Sequence, residues 1–317
     1  MQTSHTFITS EEDAKERLDI FLHLKLPDTT RTNLKHLIKD GLVSIGDIPV
    51  YKAGHRVKAG EKIDIELPEV TTEELKAEPA ELDILFEDSS LIVVNKPSGL
   101  SVHPGAGKSE PTLASALLYH AGSLSTIGGP MRPGIVHRLD KGTTGVMVAA
   151  KDDETHTELA KQFKAHTIKR RYHAIVWGVV DADSGDIDTP LGRSKRDRKK
   201  ISTDAKKTRE ARTHFDVLNR FDGFTLVELT PHTGRTHQLR VHLASIGHPI
   251  VGDKLYGKRK VPSTIQKPLA DKVKGIKSQC LHALSLGFIH PRSKKPLNFE
   301  VQYPEDMLEL IEELKRK

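Results

Sequence analysis

The sequence predicts an α+β protein of two units: a small one with two short helices and a few short strands, then a larger one around a mixed, mostly antiparallel β-sheet. Three observations predict it. Apolar residues recur at helical spacing at Leu18, Phe21 and Leu22 and again at Leu34, Leu37 and Ile38, with alternating strands close behind. A polar, acidic stretch closed by Pro79 then separates this part from the rest. Beyond Leu82 short apolar strands outnumber helices and are spaced too irregularly for βαβ units, which disfavours a doubly wound sheet.

In chain order, the first unit is expected over residues 14–68. Its second helix ends before Gly41, a residue suited to the positive φ of a helix C-cap. Val43-Ser44-Ile45 alternates like a strand, Gly46-Asp47 turns, and Lys62–Leu67 (KIDIEL) alternates again. Residues 69–81 read as a linker and 82–317 as the larger domain. There, strands are expected at Ile92–Val94, Gly145–Ala150, Tyr172–Trp177 and Thr225–Leu229, with a further apolar strand ending at Val136. Helical stretches lie between them at Pro111–His120, Glu154–Ala165 and His237–Ile246, and Met307, Leu310, Ile311 and Leu314 mark an amphipathic terminal helix. No repeat of solenoid or propeller period is present.

Charged residues at 29% and hydrophobic ones at 36% describe a soluble globular chain rather than a disordered one. Met1–Ser10 holds no apolar run of signal-peptide length, and no window reaches the length of a membrane span, so a cytoplasmic protein with no membrane partner is expected. The single cysteine, Cys280, excludes an internal disulfide and any zinc knuckle, and reads as a buried inert thiol. Lys and Arg exceed Asp and Glu by 49 to 43, for a net charge of +6. The bases cluster at Arg193–Lys200, Lys206–Arg212 and Lys254–Lys260. Such runs suit a polyanion-binding face, although any one of them reads equally well as a solvated loop.

Three stretches carry candidate chemistry. In Pro133–Gly145 (PGIVHRLDKGTTG) a tight polar turn presents His137, Arg138 and Asp140. From spacing alone, Asp140 as an Asx-turn residue is the commoner reading. In Pro231–His242 (PHTGRTHQLRVH), Thr233-Gly234 signals a turn, and Arg235 on it is placed to pair with a carboxylate elsewhere, holding it ionised and oriented. His232, His237 and His242 recur every fifth position with no carboxylate among them, which fits neither helical nor strand ligand spacing, so no metal is expected. In Lys169–Ala174 (KRRYHA), Tyr172 offers a flat ring for stacking, against the commoner alternative of a half-buried strand tyrosine.

Taken in order along nearly the whole chain, these stretches resemble the RluA/RluD-type family of large-subunit ribosomal RNA pseudouridine synthases. The resemblance runs through RLD at Arg17–Asp19 and LIKDGLVSIG at Leu37–Gly46, which look like an S4-type RNA-binding module. It continues through VVNKPSGLSVHPG at Val93–Gly105, HRLDKGTTG, KRRYHAIVWG, TGRTHQLRVHL at Thr233–Leu243, HPIVGDKLYG at His248–Gly257 and LHA at Leu281–Ala283. It implies a uridine isomerase with no cofactor and no metal, acting on a stem-loop of ribosomal RNA, and, weakly, a monomer. By the same resemblance Asp140 is the catalytic carboxylate, Arg235 its partner, Tyr172 the residue packed on the flipped base, and Arg138 the residue filling the gap in the stack. His137, Thr143 and Thr144 complete the substrate side, the threonine pair looking like the D branch. Arg31, Lys35 and Lys39 on one helix face are the expected phosphate contacts of the first unit. Two departures stand out. Gly142 occupies a place where an acidic residue is frequent, which implies a looser catalytic loop, and Thr30-Arg31-Thr32 replaces the usual Ser-Arg, which implies a weaker grip by the first unit. The rival readings are a non-catalytic RNA-binding ribosome-assembly factor and a histidine–metal hydrolase. The first leaves the HRLDKGTTG turn unexplained and the second lacks ligand spacing.

Overall fold

The computed structural model describes residues 3–27, 29–67, 75–104, 110–195, 197, 200–257, 261–263 and 265–316. Residues 69–74 of the predicted linker, positions 196, 198 and 199 of Arg193–Lys200, and the end of Lys254–Lys260 (258–260) lie outside these. The chain divides into two compact units, Met1–Thr72 and Glu73–Lys317.

In the first unit, β1 (Thr3–Ile8), β4 (Lys62–Leu67), β2 (Val43–Ile45) and β3 (Ile48–Pro49) form an antiparallel sheet in that spatial order. It carries α1 (Leu18–Lys25) and α2 (Arg31–Lys39). Thr30 caps α2, its hydroxyl accepting from the Asn33 N–H at 3.3 Å. Leu18, Phe21, Leu22, Leu34, Leu37 and Ile38 close one core with Val43, Ile63 and Ile65. The unit starts about ten residues before the predicted boundary, because β1 supplies a full edge strand. Of the predicted linker, Leu75 and Glu78 donate backbone hydrogen bonds to Pro130 O (3.4 Å) and Ser115 O (3.2 Å), so this part belongs to the second unit.

The second unit is built on a nine-stranded sheet. Its order is β5 (Asp83–Glu87), β6 (Leu91–Lys96), β7 (Thr144–Ala150), β15 (Leu281–Ile289), β8 (Lys169–Trp177), β14 (Phe224–Pro231), β13 (Arg212–Phe221) and β9 (Ser184–Asp188), with β16 (Pro296–Glu300) paired to β15. Only β7 and β15 pair in parallel; every other neighbour is antiparallel. A small sheet of β10 (Leu191–Ser194), β11 (Ile201–Ser202) and β12 (Ala205–Arg209) carries part of the predicted basic runs.

The unbroken apolar runs of β6 and β7 follow from burial on both faces. Ile92, Val94, Met147 and Ala149 face a core shared with α3 (Leu113–Ala121), α5 (Gln238–Ser245), α6 (Lys267–Gly275) and α7 (Glu305–Lys315). Leu91, Val93, Val146 and Val148 face a second core with Leu159 of α4 (Asp153–Lys164). The strand expected to end at Val136 does not form. Gly134 adopts φ +70°, its N–H bonds Ser125 O and its carbonyl accepts from Ala150 N–H, so the chain bends there. Only an isolated bridge, Ile135 to Ala149, remains.

Candidate active site

Asp140 sits on a loop gripped from several sides. Thr143 N–H donates to Asp140 O at 3.0 Å and closes the turn. The Lys141 carbonyl accepts from Gly99 N–H (2.9 Å) and from the buried Lys96 ammonium (3.2 Å). Lys96 Nζ also donates to Pro97 O and Leu100 O, at 2.7 and 2.9 Å, so three carbonyls cage a fully buried cation. Two places downstream of Thr143, Gly145 adopts φ +111°, and a Cβ there would stand 2.2 Å from Ala283 O. Only glycine lets β7 approach β15 this closely directly after the loop. Gly142 is buttressed from one side. Gln279 occupies the space beside it, 2.5 Å from where a Cβ would stand, and donates from Nε2 to Thr143 Oγ1 at 3.1 Å.

The carboxylate's partner is Arg240, not Arg235. Arg240 Nη1 donates to Asp140 Oδ2 at 2.8 Å. Its Nε and Nη2 form a bidentate pair with Asp253, at 2.6 and 2.9 Å. Asp253 in turn accepts from Leu255 and Tyr256 N–H at 2.9 and 3.0 Å, and the guanidinium lies over the Tyr256 ring at 5.1 Å. Burial works against the Arg240 charge, but Asp253 and Asp140 outweigh it and hold the guanidinium above its ordinary pKa. Burial alone would raise the Asp253 carboxyl; Arg240 outweighs it and holds it down. His237, at φ +55°, places Nε2 3.9 Å from Asp140 Oδ1 and hydrogen-bonds Tyr256 through Nδ1.

Arg235 lies on the expected turn but does not meet Asp140. Its Nε donates to Glu210 O at 3.0 Å, and its N–H to Gln238 Oε1, so the side chain lines the cavity without bonding Asp140. Sequence spacing does not single out Arg240, although α5 itself signals it. Gln238–Leu243 are all buried, and a cation in such a helix requires a buried carboxylate.

Asp140 and Arg240 open onto a cavity of about 460 Å³, also lined by Arg138, Thr143, Tyr172, Arg235 and Leu281. Tyr172 is 9% exposed and packs in the main core; burial raises its hydroxyl pKa. Arg138 is exposed and has no hydrogen-bond or ionic partner among the described residues. His137 lines the cavity, but its Nε2 accepts from Val148 N–H at 3.1 Å and its ring stacks on Phe163. Burial, with a contribution from Arg170, pushes its pKa down to about 3, so it is a neutral loop anchor. Thr144 is buried and bonded to His282 Nδ1 at 2.7 Å, and it does not line the cavity. His237 and His242 are hydrogen-bonded locally, His237 to Tyr256 and His242 to Thr213 Oγ1 and Thr189 O, and no metal-binding group of three occurs among the described residues.

In the first unit, Asp19 is fully buried and gathers Arg17 and Arg31 at 2.9 Å each and Lys35 at 3.5 Å. Burial would raise the Asp19 carboxyl, and the arginines more than reverse that. One buried acid thus fixes three half-exposed cations as a patch with a net surplus of positive charge, while Lys39 stands exposed outside it. No helix among the described residues is long and apolar enough to cross a membrane.

Comparison with known proteins shows the family. Residues 90–245 match the family model for RNA pseudouridylate synthase, and residues 16–63 that for the S4 domain. A Bacillus subtilis protein described as the uncharacterized RNA pseudouridine synthase YlyB is 44% identical over 307 residues, covering 97% of each chain. The ribosomal large subunit pseudouridine synthase D of Zymomonas mobilis is 43% identical, covering 97% of this chain and 96% of its own. Among solved structures, human RNA pseudouridylate synthase domain containing 4 is similar at 29% identity with a TM-score of 0.58, over 74% of this chain and 93% of that one. The chain belongs to the RNA pseudouridine synthases of the RluA/RluD type, isomerases that here carry an N-terminal S4 domain.

Proposed function

We propose that the chain isomerises uridines in a stem-loop of large-subunit ribosomal RNA, in the cytoplasm, with Asp140 as the catalytic carboxylate and Arg240 as its partner. The observation that carries this is the Arg240–Asp140 contact of 2.8 Å at a cavity also lined by Tyr172. The relatives described as ribosomal large subunit pseudouridine synthase D favour the ribosomal substrate.

The reaction breaks the N1–C1′ bond, turns the base and joins C5 to C1′; the C5 proton leaves to water and N1 regains one. Composition is unchanged, so the reaction calls for no cofactor. Asp140 acts either by adding to C1′ or by taking the C2′ proton, and both routes need the carboxylate oriented. Arg240 does this through one nitrogen while Asp253 fixes the other two. Extruding the uridine costs roughly a few kcal/mol. The unpartnered Arg138 fills the vacated stack, and Tyr172 returns roughly 1–3 kcal/mol by packing on the flipped base. Arg31 and Lys35, poised by Asp19, contact phosphates.

The test is tritium release from 5-tritiated-uridine transcripts of large-subunit rRNA and from bulk tRNA, side by side. Release from rRNA alone supports the substrate reading and release from tRNA alone relocates it. Tight binding with no release from either would favour a ribosome-assembly role.

A further inference from the structure

A second cavity, of about 720 Å³, adjoins the first. The two share His166, Arg170 and Pro231 as a partition. The partition is built in an unusual way. Helix α4 ends in a Schellman turn, with Thr167 N–H on Gln162 O and His166 N–H on Phe163 O. His166 occupies the left-handed position of that turn, at φ +57°, where glycine is the ordinary residue. A side chain is therefore kept at a place where the backbone disfavours one, and it is exposed to both cavities.

Beside it, Arg170 packs its guanidinium on Phe163 and donates from Nη2 to Pro231 O at 3.0 Å. Its Nε is buried and has no hydrogen-bond partner among the described residues. Lys169, on the second cavity's wall, is exposed with no ionic partner among the described residues, whereas Arg171 is neutralised by Glu228 and Glu300. Among the described residues, the cations with no carboxylate partner here are thus Arg170 at the partition and Lys169 on the second cavity's wall. The volume falls in the range of roughly 300–1,000 Å³ usual for ligand sites.

We propose that the second cavity receives the nucleotide adjoining the target uridine, and that the phosphodiester joining the two crosses the partition at His166 and Arg170. This rests on the first cavity being the target uridine's pocket. Bases in an RNA loop are unstacked and can be splayed out, so the nucleotide beside the flipped uridine needs a place of its own, and a second cavity with cations at the junction gives it one.

His166→Gly separates a binding role from a structural one, because glycine suits the left-handed turn and the fold loses nothing. Wild type, His166→Gly and His166→Gly/Lys169→Ala are compared for tritium release from large-subunit rRNA, for thermal unfolding, and for filter binding of that RNA across a salt series. His166→Gly is expected to raise KM and Kd roughly three- to tenfold, the size of a lost hydrogen bond or two, with kcat and Tm kept. The double variant should lower the log–log salt slope by roughly 0.7. Wild-type KM, Kd and slope in both variants would overturn the proposal. If wild type bound the RNA without turnover, the substrate reading would fall. That outcome would take this proposal down with it, whereas turnover by wild type with unchanged KM and Kd in the variants would overturn this proposal alone.

Discussion

Replacing Arg240 by methionine keeps most of the stem's volume and removes the fork. Three charge-assisted hydrogen bonds disappear, at 2.6, 2.8 and 2.9 Å. Two carboxylates are left facing one another's vicinity, one of them, Asp253, with a side chain 1% exposed. Removing one member of such a buried network costs about 3–5 kcal/mol. At roughly 2–4 °C per kcal/mol for a unit of this size, Tm should fall by roughly 6–20 °C. Activity should fall further, since misplacing a reacting group by about 1 Å costs roughly a hundredfold. Arg240→Lys keeps the charge but cannot span Asp140 and Asp253 together, so it should recover much of the Tm and little of the kcat. Arg235→Met is the contrasting variant. Arg235 is half-buried and, among the described residues, its side chain bonds only the Glu210 carbonyl, so Tm should drop by no more than a few degrees, with the kinetic effect in KM. Differential scanning calorimetry and single-turnover tritium release read both quantities. If Arg235→Met lost kcat while Arg240→Met kept wild-type kcat and Tm, the assignment of the partner would be refuted.

Two further expectations concern pH and reactivity. Burial pushes Lys96 down to about 7, so between pH 7 and about 10 the unfolded chain holds the extra proton. Stability from this group therefore rises with pH across that window, and denaturant melts of Lys96→Met should lose that rise; an identical pH dependence in the variant would contradict it. Burial also pushes the Cys280 thiol up, and the residue is 4% exposed. A thiol reagent should label it only with global unfolding, and rapid labelling of the native protein would contradict that.

How much was legible in the sequence differs from element to element. Helices α2, α4 and α7 were readable because each buries a single stripe, as Leu34, Leu37 and Ile38 do in α2. Strands β6 and β7 were readable as apolar runs. β1 was not, because its side chains are exposed or at most half-buried and leave a weak alternation. The expected strand before His137 failed because two apolar residues, Ile135 and Val136, follow a Pro-Gly pair that the surrounding backbone bends sharply. The Asp140 loop stood out by its motif, whereas the sequence does not show which of Arg235 and Arg240 meets it. The two arginines lie five positions apart, and which one meets Asp140, a hundred residues away, depends on the start of α5 and on Asp253. Lys96 was hidden for a related reason: its three acceptors are main-chain carbonyls, and sequence spacing says nothing about where those point.

The most direct measurement is tritium release from 5-tritiated-uridine large-subunit rRNA by wild type and Asp140→Asn, with the affinity of each for the same RNA measured in parallel. The expected result is turnover by wild type, none detectable by Asp140→Asn, and RNA affinities within a few-fold of each other, because the amide keeps the shape of the side chain and loses its charge. Substantial turnover by Asp140→Asn would contradict the role assigned to this carboxylate.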